Sequence, residues 1–277
     1  MIKDVMVPLD GSPADELRLA AVRNIADIFD SQVIGLFLNP LPLVIPADAE
    51  SVAAIQSAGL IEKAREAGDI LEKKLAAKLA RLNHPTEIRR IDVLEDEIGR
   101  TASREARTAD TFVAIRPNGS VDPEKMVEGV LFGAGRHIFL VPEDSAGQDR
   151  VFDRVLLAWN GSREAARAMT EAMPYLLKAK DVWVVVVGEG REPVEYEAVM
   201  GSEAVTHLNH HGIGAVLHPI VAEDDDVGAA LMAEAERQRA DLLVMGGYGH
   251  SRLREWLLGG VTNDLLHEAP VPLLIAH

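Results

Sequence analysis

The chain repeats itself. Residues 5–12 read VMVPLDGS and residues 155–162 read VLLAWNGS; each is a short apolar run closed by Asp or Asn, then Gly and Ser. Further on, ADTFVAI (109–115) parallels ADLLVMG (240–246), and HIFLVP (137–142) parallels VPLLIA (271–276). Three landmarks in the same order predict two homologous halves. The polar stretch EDSAGQDR at 143–150 marks the boundary, giving domains over 1–146 and 150–277. A length of 277 residues suits two domains of about 150 residues each.

Strand and helix signals alternate within each half. Strand-like runs fall near 3–9, 32–38, 87–93, 110–115 and 137–142, then near 154–159, 181–187, 214–221, 241–246 and 271–276. The unbroken apolar run Val182 to Val187 predicts a strand buried on both faces. Leu17, Ala21, Ile25 and Ile28 form one helical stripe; Leu60, Ala64, Leu71, Leu75, Leu79 and Leu82 form another. Ser12 before Pro13, and Ser162 near Glu164, are expected N-caps. Repeated β-α-β units imply an α/β fold: two tandem doubly wound parallel sheets. Pro219 and Pro272 each remove a ladder donor, so the third and fifth strands of the second half are expected at edges. The order 3-2-1-4-5 places them there. The switch point then falls between strands one and four, where open α/β sheets bind ligands.

Composition narrows the partners. Twenty-eight Lys and Arg against 44 Asp and Glu give a formal charge of −16, which repels duplex nucleic acid and anionic lipid. With no cysteine, disulfides and thiol chemistry are excluded. The opening MIKDVMVPLDGS does not read as a signal or transit peptide, and no apolar run approaches the ~20 residues of a membrane span. A cytoplasmic location is the expectation.

The loop after the fourth strand of the second half carries the chemistry. It runs Met245-Gly246-Gly247-Tyr248-Gly249-His250-Ser251-Arg252-Leu253-Arg254-Glu255-Trp256-Leu257-Leu258-Gly259-Gly260-Val261-Thr262. Glycines let backbone amides approach an anion, and a helix starting after Gly259-Gly260 adds its unpaired donors and dipole. His250, Arg252 and Arg254 either offset phosphate charge or are solvated surface residues. On spacing alone, a phosphate cradle and a pair of tight turns are both open.

The stretch resembles the nucleotide-binding signature of universal stress proteins: Gly, two residues, Gly, nine residues, Gly, then Ser or Thr. Gly246, Gly249 and Gly259 match in register, and Gly260 replaces the hydroxyl residue. The DGS-like start and VPLLI-like end of each half agree, so the chain looks like a tandem universal stress protein. The resemblance implies bound ATP, or AMP or ADP, with Mg as an accompanying ion. It implies that Ala158, Trp159 and Asn160 face adenine and ribose. It also implies that Val187 presents its backbone to adenine and that Gly246, Gly249, Gly259 and Gly260 hold the phosphates; His250, Arg252 and Val261 complete the candidate nucleotide-binding set. Asn160 stands where the family has Asp, and Trp159 either stacks on the base or fills the pocket. Gly246→Val or Gly259→Val is expected to abolish binding with the fold intact.

In the first half Ile115 and Asn118 replace Gly246 and Gly249, and Gly129, Gly133 and Gly135 do not restore the spacing. Asp10 keeps the family's ribose position. This half is expected to be mainly structural. The resemblance also implies that the two fifth strands pair as an internal pseudo-dimer; association of two chains is left open.

The remaining features have duller readings. His207 and His211 sit near a helix end before Gly212, without an evident third metal ligand. The acidic runs Glu223–Asp226 and Glu95–Glu97 read as helix N-terminal caps. Asn39 to Gly59 is an extra connection, either a lid, an interface loop or plain surface. The resulting expectation is a stress-response protein with an ATP-dependent regulatory or conformational output. The alternative is a nucleotide-independent interaction module. An enzyme ranks last: neither a Walker lysine loop nor a Ser-His-Asp set stands out, though slow ATP hydrolysis fits the fold.

Overall fold

A computed structural model describes residues 1–43, 52–116, 121–143, 151–189, 195–223, 226–247 and 260–277. By its contacts the chain divides into two compact units. One comprises 2–114 with 120–134; the other holds 135–277 with 115–119 and Met1.

The first unit contains β1 (Asp4–Pro8), α1 (Ala14–Phe29), β2 (Gln32–Leu41), α2 (Val52–Leu79), β3 (Thr86–Leu94), α3 (Ile98–Ala106), β4 (Thr111–Ile115) and α4 (Val121–Gly133). Its parallel strands run β3-β2-β1-β4. The core-facing stripe of α1 is Leu19, Val22, Ile25, Ala26 and Phe29, all buried. Leu17 and Ile28 flank that stripe, so the predicted face was turned by about one position. On α2 the stripe holds at Leu75 and Leu79, but Leu60 is exposed. The supposed connection 39–59 is strand up to Leu41 and helix from Val52, with 44–51 outside the described residues.

Helices α3 and α4 cross closely. A β-carbon on Gly99 would lie 2.6 Å from the Lys125 carbonyl oxygen, and one on Gly129 would strike the Gly99 backbone. Gly133 faces the Ser103 side chain of α3. Of the glycines that failed a phosphate spacing, Gly129 is thus the one that lets two helix backbones touch.

The second unit contains β5 (Ile138–Val141), β6 (Arg154–Ala158), α5 (Arg163–Leu176), β7 (Asp181–Glu189), α6 (Glu195–His210), β8 (Ala215–Ala222), α7 (Val227–Arg237), β9 (Leu242–Gly246), α8 (Gly260–Glu268) and β10 (Leu273–Ala276). Its strands run β8-β7-β6-β9-β10-β5, parallel except for β5. The antiparallel register Leu273↔Leu140, Leu274↔Phe139 and Ile275↔Ile138 joins the fifth strands of the two repeats. That pairing is the one the resemblance implied. Phe139, Phe152 and Tyr175 form an aromatic cluster beneath it, with ring centroids 5.4–5.6 Å apart. Buried His137, just before β5, meets Glu171 of α5 at 3.0 Å through Nδ1.

Pro219 lies in the edge strand β8, as its missing donor requires. Pro272 was misread: it precedes β10, which is an interior strand. Its carbonyl accepts a 3.0 Å hydrogen bond from the Leu243 amide, so only its acceptor is used.

The caps divide likewise. Ser162 accepts from the Ala165 amide at 3.1 Å, and Asp226 from Ala229 at 2.9 Å. Ser12 makes no side-chain cap, because α1 begins one residue later behind Pro13. Glu95–Glu97 form a 3-10 turn without a side-chain cap. Residues 224–225 lie outside the described residues.

Candidate functional site at the switch point of the second unit

Strand β6 lies between β7 and β9, and its helix α5 packs on β9 and β10 while α6 and α7 pack on β7 and β8. The chain direction of winding therefore reverses between β6 and β9. Register brings the sequence-nominated residues to one end of the sheet. Ala158 pairs with Val185, and the ladder continues through a 2.8 Å bond from the Trp159 amide to the Val185 carbonyl. Asn160 follows just past the strand end, and Val187 lies two residues beyond Val185 on β7. On the other side Leu157 pairs with Val244, so Trp159 stands level with Gly246. Ala158, Trp159, Asn160, Val187 and Gly246 thus share the carboxyl end of three adjacent strands.

The turn after β6 is built by local chemistry. Gly161 adopts φ +73°, a left-handed conformation natural to glycine. Asn160 Oδ1 accepts from the Ser162 amide at 3.1 Å, so the side chain closes its own turn. Asn160 is exposed and Trp159 half-buried. Among the described residues, the Trp159 Nε1 donor is buried without a partner. None accepts from the Asn160 or Gly161 amides.

Gly246 ends β9 against the first turn of α5. A β-carbon there would lie 2.5 Å from the Ala165 nitrogen and 2.9 Å from the Glu164 β-carbon. Beyond it, the buried Gly247 donates to the Ala276 carbonyl at 2.8 Å, and its own carbonyl lies 3.0 Å from His277 Nδ1. Burial opposes ionisation of Glu164. The Arg163 hydrogen bond outweighs it, with help from the Glu164 backbone amide and the charges of Arg163 and His277. The carboxyl is held below the usual glutamate range. Gly260 opens α8 and Val261 lies half-buried in its first turn. Gly249, His250, Arg252 and Gly259 lie outside the described residues, as does Arg254.

The turn after β1 has the same plan. Gly11 has φ +83°, the Leu9 amide bonds the Leu36 carbonyl at 2.9 Å, and Asp10 Oδ1 accepts from Ser12 at 2.8 Å. Here, however, the Asp15 carboxylate accepts from the amides of Asp10 (3.1 Å) and Gly11 (2.8 Å). Asp15 is fully buried, with Arg18 Nη1 at 3.0 Å and Lys78 Nζ at 3.9 Å. Burial raises its pKa, aided by the charge of Asp10. At Asp10 itself burial is outweighed by hydrogen bonds from Ser12 and by Arg18, and its pKa falls. The sequence reading passed over Asp15. Aligning the two turns residue by residue sets it opposite Ala165, which is the signal that could have exposed it.

His207 and His211 pack ring against ring at the end of α6, 4.7 Å apart, before Gly212 at φ +78°. Among the described residues, no group of three or more metal-ligating side chains gathers, and no helix is long and apolar enough to cross a membrane.

Residues 152–277 match the model of the universal stress protein family. The carboxy-terminal half is a universal stress protein domain. A universal stress protein of Synechocystis sp. is 27% identical over 128 residues, which is 46% of this chain and 43% of that relative. The chain thus matches less than half of the relative's length. A universal stress protein structure from Archaeoglobus fulgidus matches 99% of the chain and 95% of its own, with a TM-score of 0.72 at 19% identity. One from Pseudomonas aeruginosa, described as a putative universal stress protein, matches 99% and 93%, with a TM-score of 0.60 at 16% identity. At such identity the likeness is one of fold. It extends the universal stress protein architecture over both repeats.

Proposed function

We propose that this tandem universal stress protein binds an adenosine nucleotide, ATP or its AMP and ADP relatives, at the switch point of its carboxy-terminal repeat. Ala158, Trp159, Asn160 and Val187 face the nucleoside. Gly246, Gly249, His250, Arg252, Gly259, Gly260 and Val261 surround the phosphates, with Mg as an accompanying ion. The observation that carries this reading is that Trp159, Asn160, Val187 and Gly246 all lie at the carboxyl ends of three adjacent strands. The donors there suit the ligand. The buried Trp159 Nε1 and the Asn160 and Gly161 amides call for acceptors, and a nucleoside phosphate is rich in them. The output is regulatory or conformational, exerted in the cytoplasm as part of a stress response.

A second reading, an interaction module that needs no nucleotide, has one observation in its favour: Gly246 is required by packing against α5. Mass spectrometry of nucleotide released from the purified protein, followed by calorimetry with ATP and AMP, separates the two. Binding lost in Gly259→Val, with an unchanged melting temperature, supports the first. Full-strength binding in that variant refutes the phosphate assignment.

A further inference from the structure

The two repeats build the same turn and fill it differently. In each, a left-handed glycine follows an Asx-closed residue: Gly11 after Asp10, Gly161 after Asn160. In each, the preceding amide extends the ladder, Leu9 to Leu36 and Trp159 to Val185. Two successive amides are thereby left pointing out of the turn. In the first repeat both bond to Asp15, whose charge is met by Arg18. Leu71 of α2 covers the same turn, since a β-carbon on Gly11 would lie 2.6 Å from its Cδ1. In the second repeat Ala165 stands in the place of Asp15 and has no oxygen to offer. Among the described residues nothing else accepts from Asn160 or Gly161.

We propose that Asp15 is a built-in ligand, which closes the amino-terminal turn to any external oxygen ligand and leaves the carboxy-terminal turn as the open one. The asymmetry of the repeats then lies in one carboxylate as well as in the glycine loop. Two amides that hold a carboxylate bidentately in one repeat have the chemistry to hold a hydroxyl or phosphate oxygen in the other. The role of the open turn rests on the nucleotide reading; the closure by Asp15 does not.

Amide hydrogen exchange on the full chain, with ATP calorimetry beside it, tests this. Without nucleotide, the Asp10 and Gly11 amides should exchange at least about tenfold more slowly than those of Asn160 and Gly161. ATP should slow the latter pair and leave the former unchanged. Ala165→Asp should slow Asn160 and Gly161 without nucleotide and weaken ATP binding about tenfold or more. Asp15→Ala should speed Asp10 and Gly11. Equal exchange in the two turns, or ATP binding by Ala165→Asp at wild-type strength, would overturn the proposal. Absence of ATP binding by the wild type, with the exchange contrast intact, would remove the nucleotide reading and leave the closure standing. Should Ala165→Asp not fold, the wild-type contrast and Asp15→Ala still decide.

Discussion

A β-carbon on Gly246 would lie 2.5 Å from the backbone nitrogen of Ala165, closer than real contacts allow and against an atom that cannot swing aside. Gly246 is therefore glycine for a packing reason, whatever else it does. Gly246→Val should destabilise the protein by about 2 kcal/mol or more, read as a lowered melting temperature. The expectation that this change spares the fold is corrected by that contact. Lost binding in it would report displaced α5 as readily as a missing phosphate contact.

The two serines that open the first helices should behave differently. Ser162 caps α5 through its hydroxyl, so Ser162→Ala should cost about 1 kcal/mol. Ser12 uses its backbone amide, bonded to Asp10. Ser12→Ala should leave stability within about 0.5 kcal/mol of wild type in urea unfolding.

Acid should loosen the second unit at Glu171. Burial opposes its ionisation, but the His137 hydrogen bond, then the charges of His137, Arg167 and Arg136, hold its pKa below the usual glutamate value. A carboxyl depressed in the folded state stabilises above its unfolded pKa, about 4.3, and that contribution fades as pH falls through the lower folded value. Stability should therefore drop below about pH 4.3 more steeply in wild type than in Glu171→Gln. Parallel pH profiles for the two proteins would contradict this.

The crossing of α3 over α4 leaves no room for a methyl group at Gly129. Gly129→Ala should destabilise by about 1–3 kcal/mol, although alanine is the better helix former. Thermal unfolding that shows stabilisation would mean the helices do not touch there.

The sheet was readable because its strands are short apolar runs between turn signals, and Val182 to Val187 is nearly buried throughout. The halves announced the winding and the switch point by repetition. Other features were illegible for physical reasons. Glycine serves a phosphate, a turn and a helix crossing equally well, so Gly129 and Gly133 were judged against the wrong template. A proline flanking a strand looks like one inside it, which displaced Pro272. Asp15 reads as an ordinary first-turn acid; α2 brings Leu71 onto the turn it fills and Lys78 within 3.9 Å of its carboxylate, from far along the chain, and no local pattern encodes that.

Titration of the full chain with ATP by calorimetry bears most directly on the central claim that the carboxy-terminal repeat holds the nucleotide. One site per chain is expected, retained in Asn160→Asp, which keeps the Asx turn, and lost in Gly259→Val at unchanged melting temperature. No binding, or two equal sites per chain, would contradict it.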